Sequence, residues 1–411
     1  MGKEEQGRLI AALDIGTSKV VAIVGRIQED DVIDIVGLGS APCKGLRRGS
    51  VVNIESTVQS IQAAVEQAEL MSGCQIHSVY VGISGSHVNS YNSHGVEGIQ
   101  NQEVSRDDIE RVIDSAKAVA IPNDQSLLHI LPQEYSIDKQ GGIREPLGMT
   151  GVRLETYVHL VSVGVSAVQN LEKCITRCGL RAEEFILEQL ASGDAVLTQD
   201  EKELGVCVVD IGGGTTDIAV YIDGAVRHSA VIPMAGDQVT DDIAMALKVP
   251  ADKSDDIKVR YACALVSMTN ESETVSIPGV GDRPARVIRR ADLADIVERR
   301  YAELFTRVCD ELDRHDLLDR IPAGLVLSGG GANIQGAVDL AEAIIDVPIR
   351  VGLPQHFSGM VEAARNPIYA TAVGLLLYGK QLLNSVSAQD ASLGRMKSVF
   401  STVRNWITGN L

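Results

Sequence analysis

Two short, continuous hydrophobic runs in this chain each end in an aspartate, which is followed by a glycine-rich turn and a second hydrophobic run. The first run, residues 9–13, precedes Asp14, and the other, residues 206–209, precedes Asp210, 196 positions after Asp14. Apolar runs of about four to eight residues bounded by turn residues are typical of buried strands. The pattern therefore predicts the same strand–turn–strand unit twice, within an α/β protein.

In the rest of the chain, segments with apolar residues at helical spacing alternate with segments that have the pattern of strands. Apolar positions at helical spacing predict helices at 54–71, 106–119, 167–178, 182–198 and 335–345, and one that opens at Pro367. Apolar runs predict strands within 8–40 and at 79–83, 127–137, 152–163 and 325–327. Asp223 and Gly224 predict a hairpin. Residues 237–310 are predicted to be mostly helical, with a short β-like stretch near 275–287.

Residues 85–164 differ from their surroundings, because they are polar and rich in His, Asn and Gln. About eighty residues without regular structure would be unusual inside a compact domain. The segment is therefore predicted to fold as a separate small subdomain.

The end of the chain has another pattern again. Residues 381–393 are small and polar and are interpreted as a linker. Residues 394–411 place apolar side chains on one helical face, with basic residues beside it and no acidic residue. Such a stripe is either a helix docked on the body or an interfacial membrane anchor, and the linker, the positive charge and the single tryptophan favour the anchor. Its predicted membrane-binding residues are Met396, Val399, Phe400, Val403, Trp406 and Ile407.

Composition narrows the functional classes. The chain has 411 residues, 45% of them hydrophobic, which is enough for two or more domains. A formal charge of −18 argues against general binding of nucleic acid. Seven scattered cysteines without a CxxC pair, and the lack of a signal peptide, predict a reducing cytosol. No apolar run reaches the roughly 18 residues needed to span a bilayer.

The glycine turns favour phosphate-binding chemistry. Glycine lets backbone N–H groups approach an anion closely, and hydroxyl groups add donors. The aspartate before each turn would repel that anion unless a cation lay between them. A third glycine turn, residues 328–333, also follows a hydrophobic run. The sequence has neither a GxxxxGK(S/T) P-loop nor a GxGxxG turn between a strand and a helix, so the turns indicate a different clamp for a metal–polyphosphate.

These motifs resemble those of the superfamily of actin, DnaK-type chaperones and sugar kinases. Residues 14–19 (DIGTSK) resemble its first phosphate motif, residues 210–217 (DIGGGTTD) the second, and residues 327–333 (LSGGGAN) its adenosine motif. Residues 186–197 and 367–375 resemble the two helices that connect the lobes. The resemblance implies an actin-like (ribonuclease H-like) α/β fold, duplicated, with two lobes and four subdomains.

Within the superfamily, the chain resembles the FtsA family of bacterial cell-division proteins. It lacks the C-terminal substrate-binding domain of the chaperones, carries an insertion at the place of the FtsA subdomain 1C, and ends in a linker and an amphipathic helix. The resemblance implies that 1C replaces the second subdomain. The implied parts are 1A (8–84, 165–200 and 365–380), 1C (85–164), 2A (203–236 and 311–364), 2B (237–310), a linker (381–393) and a membrane-targeting helix (394–411).

The resemblance also implies two ligands, ATP and Mg²⁺, and the residues that bind them. Asp14 and Asp210 would hold Mg²⁺ through water molecules, because Mg²⁺ dehydrates reluctantly. Glu188 corresponds to the residue that polarises the attacking water in relatives. The implied phosphate-binding residues are Gly16, Thr17, Ser18, Lys19, Gly212, Gly213, Gly214, Thr215 and Thr216. The implied adenosine-binding residues are Gly236, Asp237, Asp255, Lys258, Gly329, Gly330, Gly331 and Ala332.

Several of these residues have an alternative interpretation. Lys19 is either a point charge for the phosphates or a solvated hairpin lysine. Glu188, in the first turn of a connecting helix, is either hydrolytic or a cap or hinge contact. Asp255 and Lys258, one helical turn apart, are either nucleotide contacts or a surface ion pair.

Arginines cluster in the implied subdomain 2B, at positions 283, 286, 289, 290, 299 and 300. The pattern alone is also that of a solvated basic face. In the FtsA family this subdomain receives the acidic C-terminal peptide of FtsZ, the tubulin-like division protein. A basic patch suits such a ligand, and the resemblance implies that the partner-binding residues are Arg286, Arg289, Arg290 and Arg300.

The implied function is that of an ATP-binding cell-division protein. It would polymerise head to tail and tether FtsZ filaments to the cytoplasmic face of the inner membrane at the division site, as a peripheral protein that recruits further divisome membrane proteins. ATP hydrolysis would be weak, and the nucleotide mainly structural. Two alternatives share the fold: a scaffold for pilus or secretion assembly, and a small-molecule kinase, although the sequence shows no convincing catalytic base or sugar-sized pocket for a kinase.

Overall fold

The computed structural model describes residues 7–279 and 284–392. The predicted membrane helix at 394–411 lies outside the described residues, with Met396, Val399, Phe400, Val403, Trp406 and Ile407, and so does Arg283. Within the described ranges, none of the helices combines the length and the apolar character needed to cross a membrane.

The first lobe begins with an antiparallel meander that leads into a helix and a further strand. Its elements are β1 (Arg8–Ile15), β2 (Lys19–Ile27), β3 (Ile33–Pro42), β4 (Leu46–Arg47), β5 (Ser50–Val51), α1 (Ile54–Ser72) and β6 (Ser78–Ile83). Helix α1 starts where the Asn53 side chain accepts a hydrogen bond from the Ser56 N–H, and it ends at Gly73, which has a left-handed backbone conformation. The predicted helix at 54–71 and strand at 79–83 are confirmed.

The insertion at 85–164 forms a separate antiparallel sheet. Its elements are β7 (Val88–Gly98), α2 (Arg106–Lys117), β8 (Gln125–Ile137), β9 (Gln140–Ile143) and β10 (Arg153–Gly164), and the strand order is β7-β10-β8-β9. Helix α2 packs on β7 and β10, where Val112 and Leu154 belong to a small core of the insertion's own. The insertion therefore has an interior that is distinct from the cores of the two lobes.

After the insertion, the chain returns to the first lobe through α3 (Val165–Arg177), β11 (Arg181–Leu187) and α4 (Glu188–Val196). The prediction of a helix over 182–198 is wrong for its first part, since β11 pairs in parallel with β6. Residues 185–187 are a short, buried apolar run, and such a run fits a buried strand as well as a buried helix.

The second lobe repeats this plan and adds a helical subdomain. Its elements are α5 (Gln199–Leu204), β12 (Val206–Ile211), β13 (Thr216–Ile222), β14 (Ala225–Ile232), α6 (Gly236–Leu247), α7 (Ala251–Tyr261), β15 (Thr274–Ile277), β16 (Arg286–Arg289), α8 (Arg290–Arg314), β17 (Leu325–Ser328), α9 (Ala337–Ile344) and β18 (Ile349–Val351). The predicted hairpin at Asp223 and Gly224 joins β13 to β14.

The last described segment belongs to the first lobe. Its elements are β19 (Phe357–Gly359), α10 (Val361–Ala364) and α11 (Ala370–Ser392). Strand β19 pairs in parallel with β3, so the implied extent of 2A to residue 364 is wrong for 357–359.

Residues 381–392 are helical, as the end of α11, and the predicted linker is therefore wrong over this stretch. The segment is small and polar but contains neither Gly nor Pro, so no residue in it stops the helix. The Lys380 Nζ atom, 2.9 Å from Asp31 Oδ2, fixes α11 to the hairpin between β2 and β3.

The two lobes share one sheet topology. The first sheet has the order β11-β6-β1-β2-β3-β19, and the second has the order β14-β13-β12-β17-β18. In each lobe an antiparallel three-stranded meander is extended by two strands that run parallel to its first strand. The duplication seen in the sequence is therefore a duplication of the fold.

Helices α4 and α11 pack against each other between the lobes. Gly374 of α11 lies so close to Ala191 of α4 that a Cβ atom at 374 would collide with the Ala191 carbonyl group. Both helices share a core with the first sheet and with one face of the second sheet. The helices that connect the lobes are thus also part of their common interior.

Candidate functional site

Two matched turns face the space between the lobes. In the first turn the Gly16 N–H donates to the Lys19 carbonyl at 3.0 Å, and in the second the Gly212 N–H donates to the Thr215 carbonyl at 2.9 Å. Each turn connects the first and second strands of its meander. The two turns are therefore the same structure, related by the duplication.

The turns approach each other so closely that only glycine fits at two positions. A Cβ atom on Gly214 would lie 2.6 Å from Thr17 Oγ1 and 2.9 Å from the Arg48 backbone nitrogen. A Cβ atom on Gly213 would collide with Ser18. Glycine is needed here because the opposite lobe occupies the place of a side chain.

The third glycine turn lies beside Asp210. Gly329 has a φ of +77°, and a Cβ atom there would collide with the Asp210 carboxylate. Its N–H donates to the Pro367 carbonyl at 3.2 Å, which joins the turn to the segment that leads into α11. The structure thus brings all three glycine turns together, as the sequence predicts.

A cavity of about 440 Å³ lies between the lobes, bounded by these turns. The sequence-predicted residues that line it are Asp14, Gly16, Thr17, Ser18, Lys19, Glu188, Asp210, Gly212, Gly213, Gly214, Thr215, Gly236, Asp255, Lys258, Gly329, Gly330 and Gly331.

Three predicted residues are not among the described residues that line the cavity, namely Thr216, Asp237 and Ala332. Thr216 faces the other side of β13, because side chains alternate along a strand, and its hydroxyl donates to the Met234 carbonyl at 2.8 Å. The Asp237 N–H donates to the Gly213 carbonyl at 2.7 Å, so Asp237 supports the second turn through its backbone. Ala332 is buried beneath the third turn.

Four buried carboxyl groups, those of Asp14, Glu188, Asp210 and Asp217, line the cavity together with Lys19. Burial raises the pKa of Asp14 to about 7; Lys19 opposes this rise and Asp210 adds to it. Burial, together with Asp14 and Asp210, holds the pKa of Asp217 at about 7 against the hydrogen bonds that it accepts. Burial and the three aspartates raise the pKa of Glu188 well above its usual range. Ionising all four groups is therefore costly unless a cation enters.

Lys19 and Glu188 both face the cavity. Burial lowers the pKa of Lys19, whereas Asp14 and Asp210 favour its charged form, so Lys19 is not a solvated hairpin residue. Glu188 begins α4 and lies against Gly82 of β6, where a Cβ atom would come within 3.1 Å of Glu188 Cγ.

Hydrogen bonds from both lobes orient the two carboxylates of the second turn. Ser192 of α4 and Thr371 of α11 both donate to Asp210 Oδ2, Thr371 at 3.0 Å. Asp217 accepts from Ser84, at the end of β6, and from Thr215 at 3.0 Å. The connecting helices and the first lobe therefore fix the acidic groups of the second lobe.

The buried carboxyl groups of the cavity have the chemistry to hold a hydrated cation. Among the described residues, no three of Asp14, Glu188, Asp210 and Asp217 bring their ligand oxygens within 4.8 Å of one another. Mg²⁺ keeps several of its water molecules in most protein sites, and it needs only one or two carboxylates nearby. The residues present therefore fit a Mg²⁺ ion held through water.

Sequence reasoning did not assign a role to four polar residues of the site, Asp217, Ser84, Ser192 and Thr371. Asp217 could have been found, because it lies two positions beyond Thr215, at the start of β13, and side chains alternate along a strand. Ser192 is four positions after Glu188 and so shares a face of α4. Ser84 and Thr371 had no local signal of this kind.

The far end of the cavity is less polar. Val259, Tyr301, Ile334 and Ile368 line it, and the Tyr301 hydroxyl donates to the Gly331 carbonyl at 2.9 Å. These apolar residues and the third turn form a wall of the size and character that suits a flat aromatic base.

Lys258 lies at the edge of this region. Its Nζ atom is 2.7 Å from Asp255 Oδ1 and 2.7 Å from Thr240 Oγ1, and it also donates to the Gly236 carbonyl at 3.1 Å. Asp255 and Lys258 therefore form an ion pair and also line the cavity, and their contact with a nucleotide stays a prediction.

The predicted partner-binding arginines differ in their surroundings. Arg290 is 20% exposed, and it bonds to the Tyr261 carbonyl, Glu273 and Gln335. Arg286 donates to the Leu247 carbonyl. Arg289 is 66% exposed and pairs with Asp292 one turn on.

Arg300 pairs with Asp242 at 2.6 Å, across α6 and α8, and with Glu303 on its own helix. The predicted basic cluster is therefore largely compensated by neighbouring carboxylates and carbonyls. Arg290 in particular has the surroundings of a structural residue.

Known protein families match two parts of the chain. The model described as "Cell division protein FtsA" matches residues 207–374, and the model described as "SHS2 domain inserted in FTSA" matches residues 85–162. The second match coincides with the inserted sheet.

Curated relatives match the chain over most of its length. A cell division protein FtsA of Pseudomonas aeruginosa is 55% identical, with 100% of both chains covered. The FtsA of Neisseria meningitidis is 50% identical, covering 91% of this chain and 90% of the relative. The FtsA of Escherichia coli K12 is 43% identical, covering 99% and 97%.

Solved structures show the same fold at low identity. A PilM–PilN complex of type IV pilus biogenesis has a TM-score of 0.67 at 16% identity, covering 90% of this chain and 98% of that chain. MreB 5 of Spiroplasma citri bound to AMPPNP has a TM-score of 0.57 at 14% identity, covering 93% and 99%. These likenesses confirm the predicted actin-like fold and carry no information on partners. The extent and identity of the curated matches show that this chain belongs to the FtsA family of cell division proteins.

Proposed function

We propose that the interlobe cavity binds ATP with Mg²⁺. The observation that carries this proposal is the convergence of three glycine turns and four buried carboxyl groups on one cavity. The turns at 16–19 and 212–215 would hold the phosphates from opposite lobes, and the turn at 329–331 with the apolar wall would hold the adenosine. A bound nucleotide analogue in a structure of the same fold supports this assignment.

In this proposal the positive charge of the cation offsets the repulsion between the buried carboxylates. A hydrated Mg²⁺ between Asp14 and Asp210 would favour their ionised forms and would bridge them to the phosphates. Lys19 would add a positive charge on the first lobe. Since residues from both lobes meet the same ligand, ATP binding would favour the closed arrangement of the lobes.

Hydrolysis would be weak in this site. Glu188 is positioned in the cavity, and burial with the three neighbouring aspartates raises its pKa and favours its protonated form, which cannot accept a proton from water. Glu188 becomes a candidate base once a cation lowers that pKa. We propose that the nucleotide acts mainly as a structural ligand that joins the lobes.

At the level of the cell, we propose that the chain polymerises head to tail and anchors FtsZ to the cytoplasmic face of the inner membrane at the division site, where it recruits later divisome proteins. Family membership supports this role. The amphipathic segment at 394–411 would supply the membrane contact, and polymerisation would add avidity to a weak individual anchor.

The acidic FtsZ peptide would bind subdomain 2B near Arg286, Arg289 and Arg300. A groove between α6 and α8 lies beside Arg300, and Met245 in it is largely exposed. Asp242, Asp295 and Glu303 also line this groove and pair with its arginines, so its apolar side chains would supply the contact there and the exposed Arg289 would supply the positive charge. Arg289, which is 66% exposed and pairs with Asp292, is the arginine that we expect to contact the peptide directly, because the guanidinium donors of Arg290 and Arg300 already bond within the protein.

Co-sedimentation tests this proposal. Vesicles of anionic phospholipid, the full chain with Mg²⁺–ATP, and FtsZ are combined, and the pellet is compared with that of a chain ending at residue 393. We expect FtsZ in the pellet only with the complete chain. FtsZ filaments lacking their C-terminal peptide serve as the control, and they should stay in solution. Equal recovery of FtsZ with both chains would contradict the tether.

The same experiment separates the scaffold alternative, and a coupled phosphotransfer assay over common sugars separates the kinase alternative. A scaffold for pilus or secretion assembly should not carry FtsZ into the pellet. A small-molecule kinase should show rapid phosphate transfer to a sugar, which our proposal excludes.

A further inference from the structure

A second cluster of ligand-type side chains lies where β14 meets the end of α8. His228 belongs to β14, Glu311 to the last turn of α8, and His315 follows that helix. The His228 Nε2 atom is 3.0 Å from Glu311 Oε1, and the His315 Nε2 atom is 3.4 Å from the same oxygen. In the described part of the chain, this is the only group of three His, Cys, Asp or Glu residues whose ligand atoms all lie within 4.8 Å of one another.

The donor set is that of a transition-metal site. Two imidazoles and one carboxylate suit Zn²⁺ and its neighbours in the first transition series. In tetrahedral Zn²⁺ sites with bonds of about 2.0–2.1 Å, neighbouring ligand atoms are about 3.3 Å apart. The observed separations of 3.0 and 3.4 Å lie on either side of that value, and the ligand atoms of His228 and His315 lie within 4.8 Å of each other.

The surroundings orient the carboxylate and leave one side open. The Arg314 guanidinium, 2.5 Å from Glu311 Oε2, holds that oxygen and leaves Oε1 directed toward the histidines. The His228 and Glu311 side chains are 13% and 17% exposed, whereas that of His315 is 45% exposed. An ion could therefore enter from the side of His315 and keep a water molecule as its fourth ligand.

We propose that His228, Glu311 and His315 bind one divalent transition-metal ion, with Zn²⁺ as the reference ion. The ion is structural and joins the edge strand β14 to α8. On the opposite face of β14, Ser229 contacts the insertion, with Ser229 Oγ 2.8 Å from His159 Nε2. Helix α8 starts at Arg290, next to the proposed FtsZ surface. The ion therefore fixes the strand that receives the insertion relative to the helix that supports subdomain 2B.

Metal titration tests the site. The full chain, stripped with EDTA and kept in excess Mg²⁺ to occupy the interlobe acids, is titrated with Zn²⁺ against a chromophoric chelator. We expect one Zn²⁺ to bind to the unchanged chain. His228→Gln and His315→Gln should each weaken its affinity by more than the roughly 10–100-fold typical of changes around a metal ligand. His77→Gln, a change at an exposed histidine away from the cluster, is the matched control and should bind Zn²⁺ as the unchanged chain does.

Two further measurements distinguish binding at this cluster from binding of the ion elsewhere in the protein. Co²⁺ in place of Zn²⁺ should give the absorption of a tetrahedral nitrogen–oxygen site without a thiolate charge-transfer band, which separates the cluster from the seven free cysteines. Zn²⁺ should raise the thermal unfolding midpoint of the unchanged chain but not that of His315→Gln, whose exposed position makes it safe for folding. If both histidine variants bound Zn²⁺ with the affinity of the unchanged chain, or if the Co²⁺ spectrum were dominated by thiolate bands, the proposal would be overturned.

Discussion

The hydroxyl group of Ser84 donates a hydrogen bond to the carboxylate of Asp217, and this contact joins the two lobes beside the cavity. Ser84 follows β6 in the first lobe, Asp217 lies in β13 of the second lobe, and both side chains are buried. Because one donor to Asp217 comes from the other lobe, separation of the lobes would leave a buried carboxyl group short of a partner.

Replacement of Ser84 tests this cross-lobe contact. We expect Ser84→Ala to lower the free energy of unfolding by about 1–3 kcal/mol, because the donor to a buried carboxylate is lost. Urea denaturation measures the change. Ser276→Ala, at an exposed position of β15, is the control and should leave the denaturation midpoint unchanged. An equal midpoint for both variants would show that the contact does not stabilise the closed lobes.

The close approach of the turns at 16–19 and 212–215 leads to a second prediction. In Gly214→Ala the new methyl group would lie 2.6 Å from Thr17 Oγ1, so the turns must move apart. We expect Mg²⁺–ATP to bind at least about tenfold more weakly, since the ligand would no longer contact both turns equally. Isothermal titration calorimetry measures this affinity.

Gly141→Ala is the matched control for that variant, because a Cβ atom at 141 meets nothing within 4 Å. It should bind Mg²⁺–ATP with the affinity of the unchanged chain. If Gly214→Ala also kept that affinity, the two turns would not clamp one ligand.

The buried acids make the stability of the nucleotide-free protein depend on pH. Asp14 and Asp217 have pKa values raised from 3.8 to about 7, so between these values the folded chain binds more protons than the unfolded chain. Stability from these groups is therefore present at about pH 4 and is lost as the pH rises to about 7. The slope is at most about 1.4 kcal/mol per pH unit for each group.

Chemical denaturation at several pH values, with and without Mg²⁺–ATP, measures this dependence. Between pH 5 and pH 7 we expect the nucleotide complex to lose less stability than the nucleotide-free protein, because a cation favours the ionised acids. The difference should be at most about 1.4 kcal/mol per pH unit for each group. Asp217→Asn should flatten the profile of the nucleotide-free protein. If the nucleotide-free protein, its Mg²⁺–ATP complex and Asp217→Asn all gave the same dependence of stability on pH, these acids would not be the titrating groups.

Substitutions of the neighbouring residues Arg289 and Arg290 should have different effects, the first on partner binding and the second on stability. Arg290→Gln removes bonds to the Tyr261 carbonyl and Glu273, so we expect a loss of stability of about 1–3 kcal/mol. Arg289→Gln removes an exposed charge and should weaken binding of the FtsZ C-terminal peptide, more strongly at low salt than at high salt, with little change in stability.

Fluorescence anisotropy of the labelled peptide and thermal unfolding measure the two effects. The reverse result, in which Arg290→Gln alone weakens the peptide contact without loss of stability, would contradict the structural role assigned to Arg290.

The local motifs explain how much of the site could be predicted. Asp14 and Asp210 each lie between a continuous apolar run and a glycine turn, and both features are visible within about ten residues of sequence. The strand–turn–strand units therefore followed from short-range pattern, and the ligand chemistry that we propose for them rests on the same motifs. The duplication of the sheets followed from finding the unit twice.

The residues that sequence reasoning missed depend on long-range packing. Ser84 and Asp217 are 133 positions apart, and only the fold brings them together. Strand β19 has three residues and pairs at a sheet edge, so it leaves almost no periodic signal. Helix α11 runs through the expected linker because a small, polar composition without Gly or Pro fits both a helix and a linker.

The most direct test of the central claim is a crystal structure of the chain grown with Mg²⁺ and a slowly hydrolysed ATP analogue. The account predicts that the triphosphate lies between the turns at 16–19 and 212–215, with a hydrated Mg²⁺ within water-mediated reach of Asp14 and Asp210 and the base beside residues 329–331. A nucleotide bound elsewhere, or an empty cavity at saturating ligand, would contradict it.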